Sequence, residues 1–169
     1  LRPMPADVRQ RVQAAPVWVV GDAPEGQSEG SGFVSKPGFV LTNAHVVEHT
    51  TNLRCVLGCG TPQSRTVPAK VLRLGRPGEV DDIALLALNT GAVQPLRLAS
   101  AEQAAEGTPL AAFGYPLGST LTTSSQGPQI SIRGGTVTAR RKDDAGRLAW
   151  LESDVLAEVG NSGGPVVTF

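Results

Sequence analysis

From residue 16 onward the chain alternates short apolar runs with clusters of glycine, proline and small polar residues. The runs predict β-strands near residues 17–20, 31–35, 39–43, 52–57, 66–74, 83–88, 108–114, 129–139, 147–151 and 164–168. The 20 glycines and 13 prolines are many for a helical bundle and suit a turn-rich β protein. Because closure removes exposed strand edges, these short strands favour two small, closed or nearly closed antiparallel barrels.

The first fifteen residues differ from the rest and predict one short helix over 3–15. Val8 and Val12 would form a narrow apolar stripe on it, and Asp7 is placed to cap it. Small and polar residues at 99–107 predict a linker between the two sets of strands. The expected organisation is therefore a lead-in helix (1–15), a first barrel (16–98), the linker, and a second barrel (108–169).

Charge and hydrophobicity exclude two classes of partner. Lysine and arginine (15) balance aspartate and glutamate (15), whereas binding to nucleic acid depends on clustered cations. No apolar run approaches the roughly 18 residues that a membrane-spanning helix needs. We therefore expect neither a nucleic-acid partner nor a membrane span.

The two cysteines, Cys55 and Cys59, lie four positions apart. Two thiols and distant histidines make a poor zinc site, which needs about four ligands. A disulfide across so short a turn is geometrically demanding. We expect two ordinary thiols and no bound metal, and the sequence leaves their pairing open.

A candidate nucleophile lies near the end of the chain, in Gly160-Asn161-Ser162-Gly163-Gly164-Pro165. A nucleophilic serine needs a turn that exposes its hydroxyl and aims amide N–H groups at a developing oxyanion. Glycines permit such a turn because they tolerate positive φ and close approach. The motif alone is also compatible with a plain glycine turn between two strands.

Such a serine needs a base, and the base needs a group that orients it. Of the two histidines, His45 follows an apolar strand, whereas His49 lies in a polar segment and is expected to be solvated. Asp82 directly precedes the apolar run 83–88, where a carboxylate could hold a histidine in one tautomer. Asp81 is interpreted as an ordinary turn residue.

Together these motifs resemble the trypsin-like serine proteases, and among them the bacterial HtrA-type branch. The matching segments are Gly30-Ser31-Gly32-Phe33-Val34, Val40-Leu41-Thr42-Asn43-Ala44-His45-Val46-Val47, Asp82-Ile83-Ala84-Leu85-Leu86, Gly114-Tyr115-Pro116-Leu117-Gly118 and the segment around Ser162. They follow the family's order and cover the chain from about residue 16 to its end. The order His45, Asp82, Ser162 is that of the chymotrypsin-like fold.

The resemblance implies an all-β protein with two six-stranded antiparallel barrels and a catalytic triad. Ser162 would attack the scissile carbonyl, His45 would move the proton, and Asp82 would orient His45. The oxyanion hole would consist of the N–H groups of Gly160 and Ser162, with Asn161 shaping the loop between them. This chemistry requires no cofactor.

The sequence departs from the secreted digestive relatives at Asn161, where they carry an aspartate. In those relatives the aspartate pairs with a newly cut N-terminus and activates the enzyme. Since HtrA-type enzymes share the asparagine, control by loop rearrangement or partner binding is the expected substitute.

The second departure is the end of the chain at Phe169, seven positions after Ser162. The family's second barrel continues with two further strands, so we expect the second barrel to be incomplete here. Val166, Val167 and Phe169 would then lie on an exposed strand. The isolated chain is expected to be poorly active and sticky, or to depend on a C-terminal segment or partner chain that completes the barrel.

The residues before the nucleophile bear on specificity. In the family the base of the primary pocket comes from the positions occupied here by Leu156 and Ala157. Neither is an anion, so small or medium apolar side chains are preferred over arginine or lysine. Glu158 is expected to be a solvated loop carboxylate rather than a group in the cleft.

The predicted function is a serine endopeptidase acting on proteins or peptides. The alternative is a chymotrypsin-fold module that binds peptides, or acts as a chaperone or scaffold, with weak or no proteolysis. An HtrA-like protein would be periplasmic or secreted, but the sequence leaves the compartment open, a cytoplasmic location included. It also leaves the oligomeric state open.

Overall fold

The computed structural model describes residues 3–169, which form mainly antiparallel β-strands. The helices are α1 (Ala6–Val12) and α2 (Ala44–Val47). The strands are β1 (Pro16–Ala23), β2 (Gly26–Lys36), β3 (Phe39–Thr42), β4 (Thr51–Leu57), β5 (Arg65–Pro68), β6 (Lys70–Leu74), β7 (Ala84–Ala87), β8 (Pro109–Gly114), β9 (Ser131–Lys142), β10 (Leu148–Ser153) and β11 (Val166–Thr168). Short 3-10 helices occur at Ala101–Gln103 and Gly118–Leu121.

The first sheet closes on itself through the segment 65–74. Its strand order is β5-β4-β1-β2-β3-β7-β6, so β5 and β6 lie at opposite edges although only Ala69 separates them. The N–H of Ala69 donates to Leu53 O at 2.9 Å, which ties the bend to β4, while Lys70 pairs with Ala87 of β7. The single strand predicted over 66–74 is therefore divided at Ala69, because one segment must pair with both edges of the barrel.

The first barrel is filled by aliphatic side chains that alternate along its strands. Its buried residues are Val17, Val19, Val34, Val40, Val46, Val47, Leu53, Cys55, Leu57, Val67, Ala84 and Leu86. Both cysteines are free thiols, and burial raises the pKa of Cys55 to about 12 and that of Cys59 to about 11. They are therefore ordinary buried thiols, as expected.

The second sheet has the strand order β10-β9-β8-β11 and is covered on one side by α1. Val12 of the helix packs against Ala111 and Phe113 of β8, with Val8 beside them, so the predicted apolar stripe is confirmed. The helix is shorter than the predicted span 3–15. Pro5 is its N-cap residue and Asp7 lies inside the first turn, so Asp7 does not cap it.

Strand β11 lies at an edge of the second sheet and pairs only with β8 among the described strands. Val166 and Phe169 are exposed, as expected. Val167 lies in the same edge strand, but its side chain packs against the cluster formed by α1 and β8. Alternate side chains of a strand point to opposite faces, so Val167 faces inward while Val166 faces outward.

The two sheets meet where β1 and β2 face β8. Trp18 of β1 packs with Val56, Cys59 and Tyr115 in a cluster that includes residues on both sides. The division of the chain at 99–107 remains a prediction; the 3-10 helix Ala101–Gln103 lies in that segment. Within residues 3–169 no helix has the length and apolar character to cross a membrane.

Gly32 of β2 lies in a tightly packed part of the first barrel. A Cβ added at Gly32 would lie 2.8 Å from Leu41 O and 2.9 Å from Val40 Cγ1. We predict that Gly32→Ala lowers the free energy of unfolding by about 1–3 kcal/mol, because the backbone of β3 would have to shift.

The matched control is Gly134→Ala in β9, where the added Cβ would have no neighbour closer than Leu110 O at 4.0 Å. Its free energy of unfolding should change by no more than about 0.5 kcal/mol. Urea denaturation of the two variants checks this, and equal stabilities would contradict the packing argument.

Candidate active site

The histidine and the acid come from two adjacent strands of the first barrel. Strands β3 and β7 pair antiparallel, with Thr42 opposite Ala84, so the end of β3 and the start of β7 lie together. His45 follows β3 in the first turn of α2, and Asp82 lies two residues before β7. The Nδ1 atom of His45 is 2.6 Å from Oδ2 of Asp82. The two side chains, 37 positions apart, therefore meet at one edge of the sheet.

Asp82 is held by hydrogen bonds to each of its oxygens. The backbone N–H of His45 donates to Oδ1 at 2.9 Å, and the side-chain amide of Asn43 donates to the backbone carbonyl of Asp82 at 2.6 Å. Burial raises the pKa of Asp82, but the hydrogen bonds from the His45 side chain and backbone outweigh it, so the pKa is lowered. The carboxylate is thus ionised at neutral pH and accepts the proton of Nδ1–H. The Nε2 atom of neutral His45 is left as the acceptor.

The other histidine and aspartate lie elsewhere. Asp81 pairs with the exposed Arg76, whose Nε is 2.9 Å from its Oδ1. His49 is exposed and lies 3.7 Å from Glu48. The structure therefore places Asp82, and not Asp81, against His45.

Two glycines with positive φ shape the loop that carries Ser162. Gly160 has φ +94° and Gly163 has φ +87°. A Cβ at Gly163 would collide with Ser31 O and Thr42 Oγ1 and would lie 2.8 Å from Asn43 N. Only glycine therefore lets this loop lie against the middle of β2 and the end of β3, beside the segment that leads to His45.

Ser162 comes from the second set of strands, between β10 and β11. Its carbonyl accepts the N–H of Ser31 at 2.8 Å, which joins the loop to β2. Within residues 3–169 its hydroxyl makes no hydrogen bond to His45. Catalytic hydrogen bonds are often long or poorly aligned without substrate, so the lack of this bond is compatible with a serine–histidine pair.

The carbonyls of the loop are all engaged. Those of Glu158, Val159, Gly160, Asn161 and Ser162 accept, in order, from Asn161 N (3.0 Å), Leu117 N (2.8 Å), Ser31 Oγ (2.7 Å), Gly164 N (2.9 Å) and Ser31 N (2.8 Å). In a planar trans peptide the C=O and N–H groups point in opposite directions. Within the described residues, the N–H groups of Gly160 and Ser162 donate to no protein acceptor. They are free to bind a developing oxyanion.

Asn161 is held at the centre of the loop by its backbone. Its N–H donates to Glu158 O and its carbonyl accepts from Gly164 N, so both peptide groups beside it have fixed orientations. Its side-chain Oδ1 is buried against the backbone of Gly114 and has no hydrogen-bond partner within residues 3–169.

The residues assigned to the specificity pocket are largely exposed. Leu156 is 69% exposed, and Ala157 is also exposed. Glu158 is not simply solvated, because its Oε1 lies 2.6 Å from an Arg133 guanidinium nitrogen. This ion pair links the loop to β9. A single sequence carried no signal for it, since the partners are 25 positions apart.

No three His, Cys, Asp or Glu side chains among residues 3–169 are grouped so that they could hold a metal ion. The candidate site thus consists of the His45–Asp82 pair and the loop around Ser162, with no group of metal ligands among the described residues. Sequence reasoning assigned no role to Ser31, although it lies in one of the motifs that carried the resemblance.

The family described as "Trypsin-like peptidase domain" matches residues 30–168. The chain belongs to the trypsin-like peptidases. Among relatives of this trypsin-like peptidase domain, serine protease HTRA1 from Xenopus laevis is 32% identical over 144 residues. The match covers 84% of this chain and 29% of the Xenopus protein. A probable periplasmic DegP-like serine endoprotease from Hahella chejuensis is 30% identical over 145 residues, 84% of this chain and 28% of that protein.

Solved structures show the same fold. An HtrA-type protease AlgW with tripeptide has a TM-score of 0.78 at 20% identity, covering 98% of this chain and 51% of that one. The serine endoprotease from Yersinia pestis has a TM-score of 0.75 at 20% identity, covering 99% and 55%. The expected chymotrypsin-like architecture of antiparallel sheets is thereby confirmed.

The relatives are longer than this chain and come from more than one kind of organism. This chain spans less than a third of the length of the curated relatives it matches. They include vertebrate as well as bacterial proteins, so the similarity does not establish the bacterial branch that the motifs suggested.

The lowered pKa of Asp82 makes the stability of the fold dependent on pH. A carboxyl whose pKa is lower in the folded than in the unfolded chain stabilises the fold above its unfolded pKa, about 3.9. That contribution is lost as the pH falls through the folded pKa. We predict that Asp82→Asn lowers the free energy of unfolding more at pH 7 than at pH 2.5, measured by urea denaturation.

The same comparison in a His45→Ala background is the control. The His45 side chain makes the hydrogen bond that lowers the pKa of Asp82 most, and His45→Ala removes it while keeping the backbone N–H of residue 45. The pH dependence of the Asp82→Asn effect should therefore shrink there. A pH dependence of equal size in both backgrounds would show that another partner causes it.

Proposed function

We propose that this trypsin-like peptidase domain is a serine endopeptidase that cleaves protein substrates with His45, Asp82 and Ser162. The observation that supports the proposal best is the loop 158–162. All of its carbonyls are hydrogen-bonded, and the N–H groups of Gly160 and Ser162 donate to no acceptor among the described residues. At Gly163 the loop packs against Thr42 and Asn43, just before the histidine of the His45–Asp82 pair. Backbone N–H groups that are left uncommitted next to the nucleophile are what an oxyanion hole requires.

In the acylation step Ser162 Oγ attacks the carbonyl carbon of the scissile peptide while His45 Nε2 takes its proton. The carbonyl oxygen becomes an oxyanion and accepts hydrogen bonds from the N–H groups of Gly160 and Ser162. His45 then gives the proton to the leaving amine as the C–N bond breaks. The product is an ester between the substrate's acyl group and Ser162.

In the deacylation step water replaces the amine. His45 takes a proton from the water, whose oxygen attacks the ester carbon, and returns it to Ser162 Oγ as the acid product leaves. Asp82 stays ionised throughout and stabilises the imidazolium of His45, which forms in both steps. Its lowered pKa suits that role, since a protonated Asp82 could not accept from Nδ1–H.

Control by loop rearrangement belongs to the same proposal. The oxyanion turn is held by Leu117 N, which donates to Val159 O, and by the segment 115–117 packed against Gly160. Leu117 itself has a positive φ of 53°, unusual for a residue with a side chain. A partner that moved this segment would release the carbonyl of Val159 and reorient the N–H of Gly160.

Replacing the nucleophile tests the proposal directly. Ser162→Ala should reduce kcat for a casein-type substrate by about 10⁴-fold or more and leave the unfolding midpoint nearly unchanged. A fluorophosphonate probe should label the wild-type chain at Ser162 and the Ser162→Ala chain not at all. The control is Ser125→Ala, an exposed serine in another loop, which should be labelled and active like wild type.

If Ser162→Ala kept its activity, another residue would be the nucleophile. If the wild-type chain were neither labelled nor active but bound unfolded proteins, the peptide-binding alternative would replace the endopeptidase proposal.

The pocket residues predict an apolar preference. Leu156 and Ala157 carry no charge, and Arg133 already neutralises the carboxylate of Glu158. Peptides with alanine, valine or leucine before the scissile bond should have at least a tenfold higher kcat/KM than those with arginine or lysine. Apolar side chains gain from contact with Leu156 and Ala157, whereas a cation would find no free anion there.

Leu156→Asp should raise cleavage after arginine and lysine, because it would place an anion at the base of the pocket. Glu158→Gln is the matched control and should leave the preference unchanged. A peptide library read by mass spectrometry measures both, and equal cleavage after basic and apolar residues by the wild-type chain would overturn the assignment.

A further inference from the structure

Ser31 is a fully buried polar residue of β2 whose side chain reaches the second set of strands. Its hydroxyl donates to Gly160 O at 2.7 Å and accepts the N–H of Tyr115 at 2.9 Å. These partners lie 129 and 84 positions away in the chain. The side chain therefore joins three segments: β2, the end of β8 and the loop that carries Ser162.

The backbone of Ser31 is engaged in the same region. Its N–H donates to Ser162 O at 2.8 Å, and its carbonyl accepts the hydroxyl of Thr42 at 2.7 Å. Thr42 ends β3, three residues before His45. One residue thus contacts the nucleophile loop on one side and the strand that leads to the base on the other.

The bond to Gly160 O differs from the other contacts of the loop. Among the described residues, the carbonyls of 158, 159, 161 and 162 are held by backbone N–H groups, and only that of Gly160 is held by a side chain. Gly160 has a positive φ and no side chain, so hydrogen bonds must fix the orientation of this peptide. Among the described residues two do so: Ser31 Oγ donates to its carbonyl, and its N–H, that of Asn161, donates to Glu158 O at 3.0 Å. If the peptide after Gly160 rotated, the peptides on both sides would turn with it, and these carry the N–H groups of Gly160 and Ser162.

The Ser31 hydroxyl uses its only proton and one lone pair in contacts that hold the loop of Ser162. A serine hydroxyl has one proton to donate, and here it goes to Gly160 O while a lone pair accepts from Tyr115. Tyr115 begins the segment 115–117, which packs against Gly160 and whose Leu117 N–H binds Val159 O. The hydroxyl therefore sets the separation between the turn and the segment behind it.

We propose that Ser31 is a positioning residue of the oxyanion hole, which aligns the N–H groups of Gly160 and Ser162 through its hydroxyl without touching substrate. This inference rests on the proposed function, because the oxyanion hole has a catalytic role only in an acyl-transfer enzyme. The contribution of Ser31 to the reaction rate is made in the transition state, because the oxyanion forms only there.

The test compares Ser31→Ala with wild type on a chromogenic peptide substrate and on a peptide boronic acid, whose tetrahedral adduct with Ser162 places an oxygen in the hole. We expect kcat to fall roughly 10-fold to 100-fold, less than the about 10²–10³-fold loss caused by deleting an oxyanion donor outright. KM should stay within about twofold, since ground-state binding does not use the hole. Affinity for the boronic acid should fall in parallel with kcat.

The matched control is Thr90→Val. Thr90 is also buried, and its hydroxyl accepts a backbone N–H at 2.8 Å. The donor is Gly38, in the turn between β2 and β3. Thr90→Val should destabilise the first barrel about as much as Ser31→Ala does, but leave kcat and the affinity for the boronic acid unchanged. Ser31→Cys keeps the size of the side chain with a weaker donor and should give an intermediate kcat; it replaces Ser31→Ala should that variant not fold.

Hydrogen exchange provides a readout that does not depend on activity. The amides of residues 158–164 should exchange faster in Ser31→Ala than in wild type, and at the wild-type rate in Thr90→Val. If wild type proves inactive, the proposed function fails, and faster exchange still supports the positioning of the loop by Ser31.

Two results would overturn the inference. One is a Ser31→Ala enzyme with kcat and exchange of the loop both at wild-type level. The other is a loss of activity that follows the loss of stability equally in Ser31→Ala and Thr90→Val, with boronic acid affinity unchanged.

Discussion

The hydrogen bond from Ser31 N to Ser162 O joins the two sets of strands at the point on which the site depends. It requires the loop backbone to approach β2 closely, and Gly163 permits this because any side chain there would collide with Ser31 and Thr42. Neither set of strands contains a complete site. The first supplies the His45–Asp82 pair and the second supplies Ser162, so the proposed catalysis would require this backbone contact to hold them together.

Closure of the first barrel provides the other half of the geometry. Residues 65–74 pair with both edges of the sheet, and β3 and β7 each have a paired strand on both sides. This pairing resists a shift of β3 against β7. The end of β3 and the start of β7 are consequently rigid neighbours. His45 and Asp82 can then meet at 2.6 Å with little conformational entropy left to lose.

Much of this arrangement follows from local sequence. The strands were predictable because short apolar runs between glycines and prolines have few other stable conformations in water. The hairpin extension of β1 and β2 was missed, since Asp22 to Glu29 are mostly polar and exposed, and carry no alternation of apolar residues. The division of 66–74 was missed as well. Nothing local marks Ala69 as the bend, which is imposed by the two sheet edges it connects.

The sequence by itself determined the strand order along the chain, the helical stripe of Val8 and Val12, and the identity of the nucleophile, base and acid candidates. Residue type and spacing carry that information, because a nucleophilic serine needs glycines around it and a histidine needs a carboxylate. Only the tertiary structure decided that Asp82 rather than Asp81 contacts His45, that Arg133 pairs with Glu158, and that Ser31 binds Gly160 O. These contacts join residues 25 to 129 positions apart, and folding of the whole chain sets their distances.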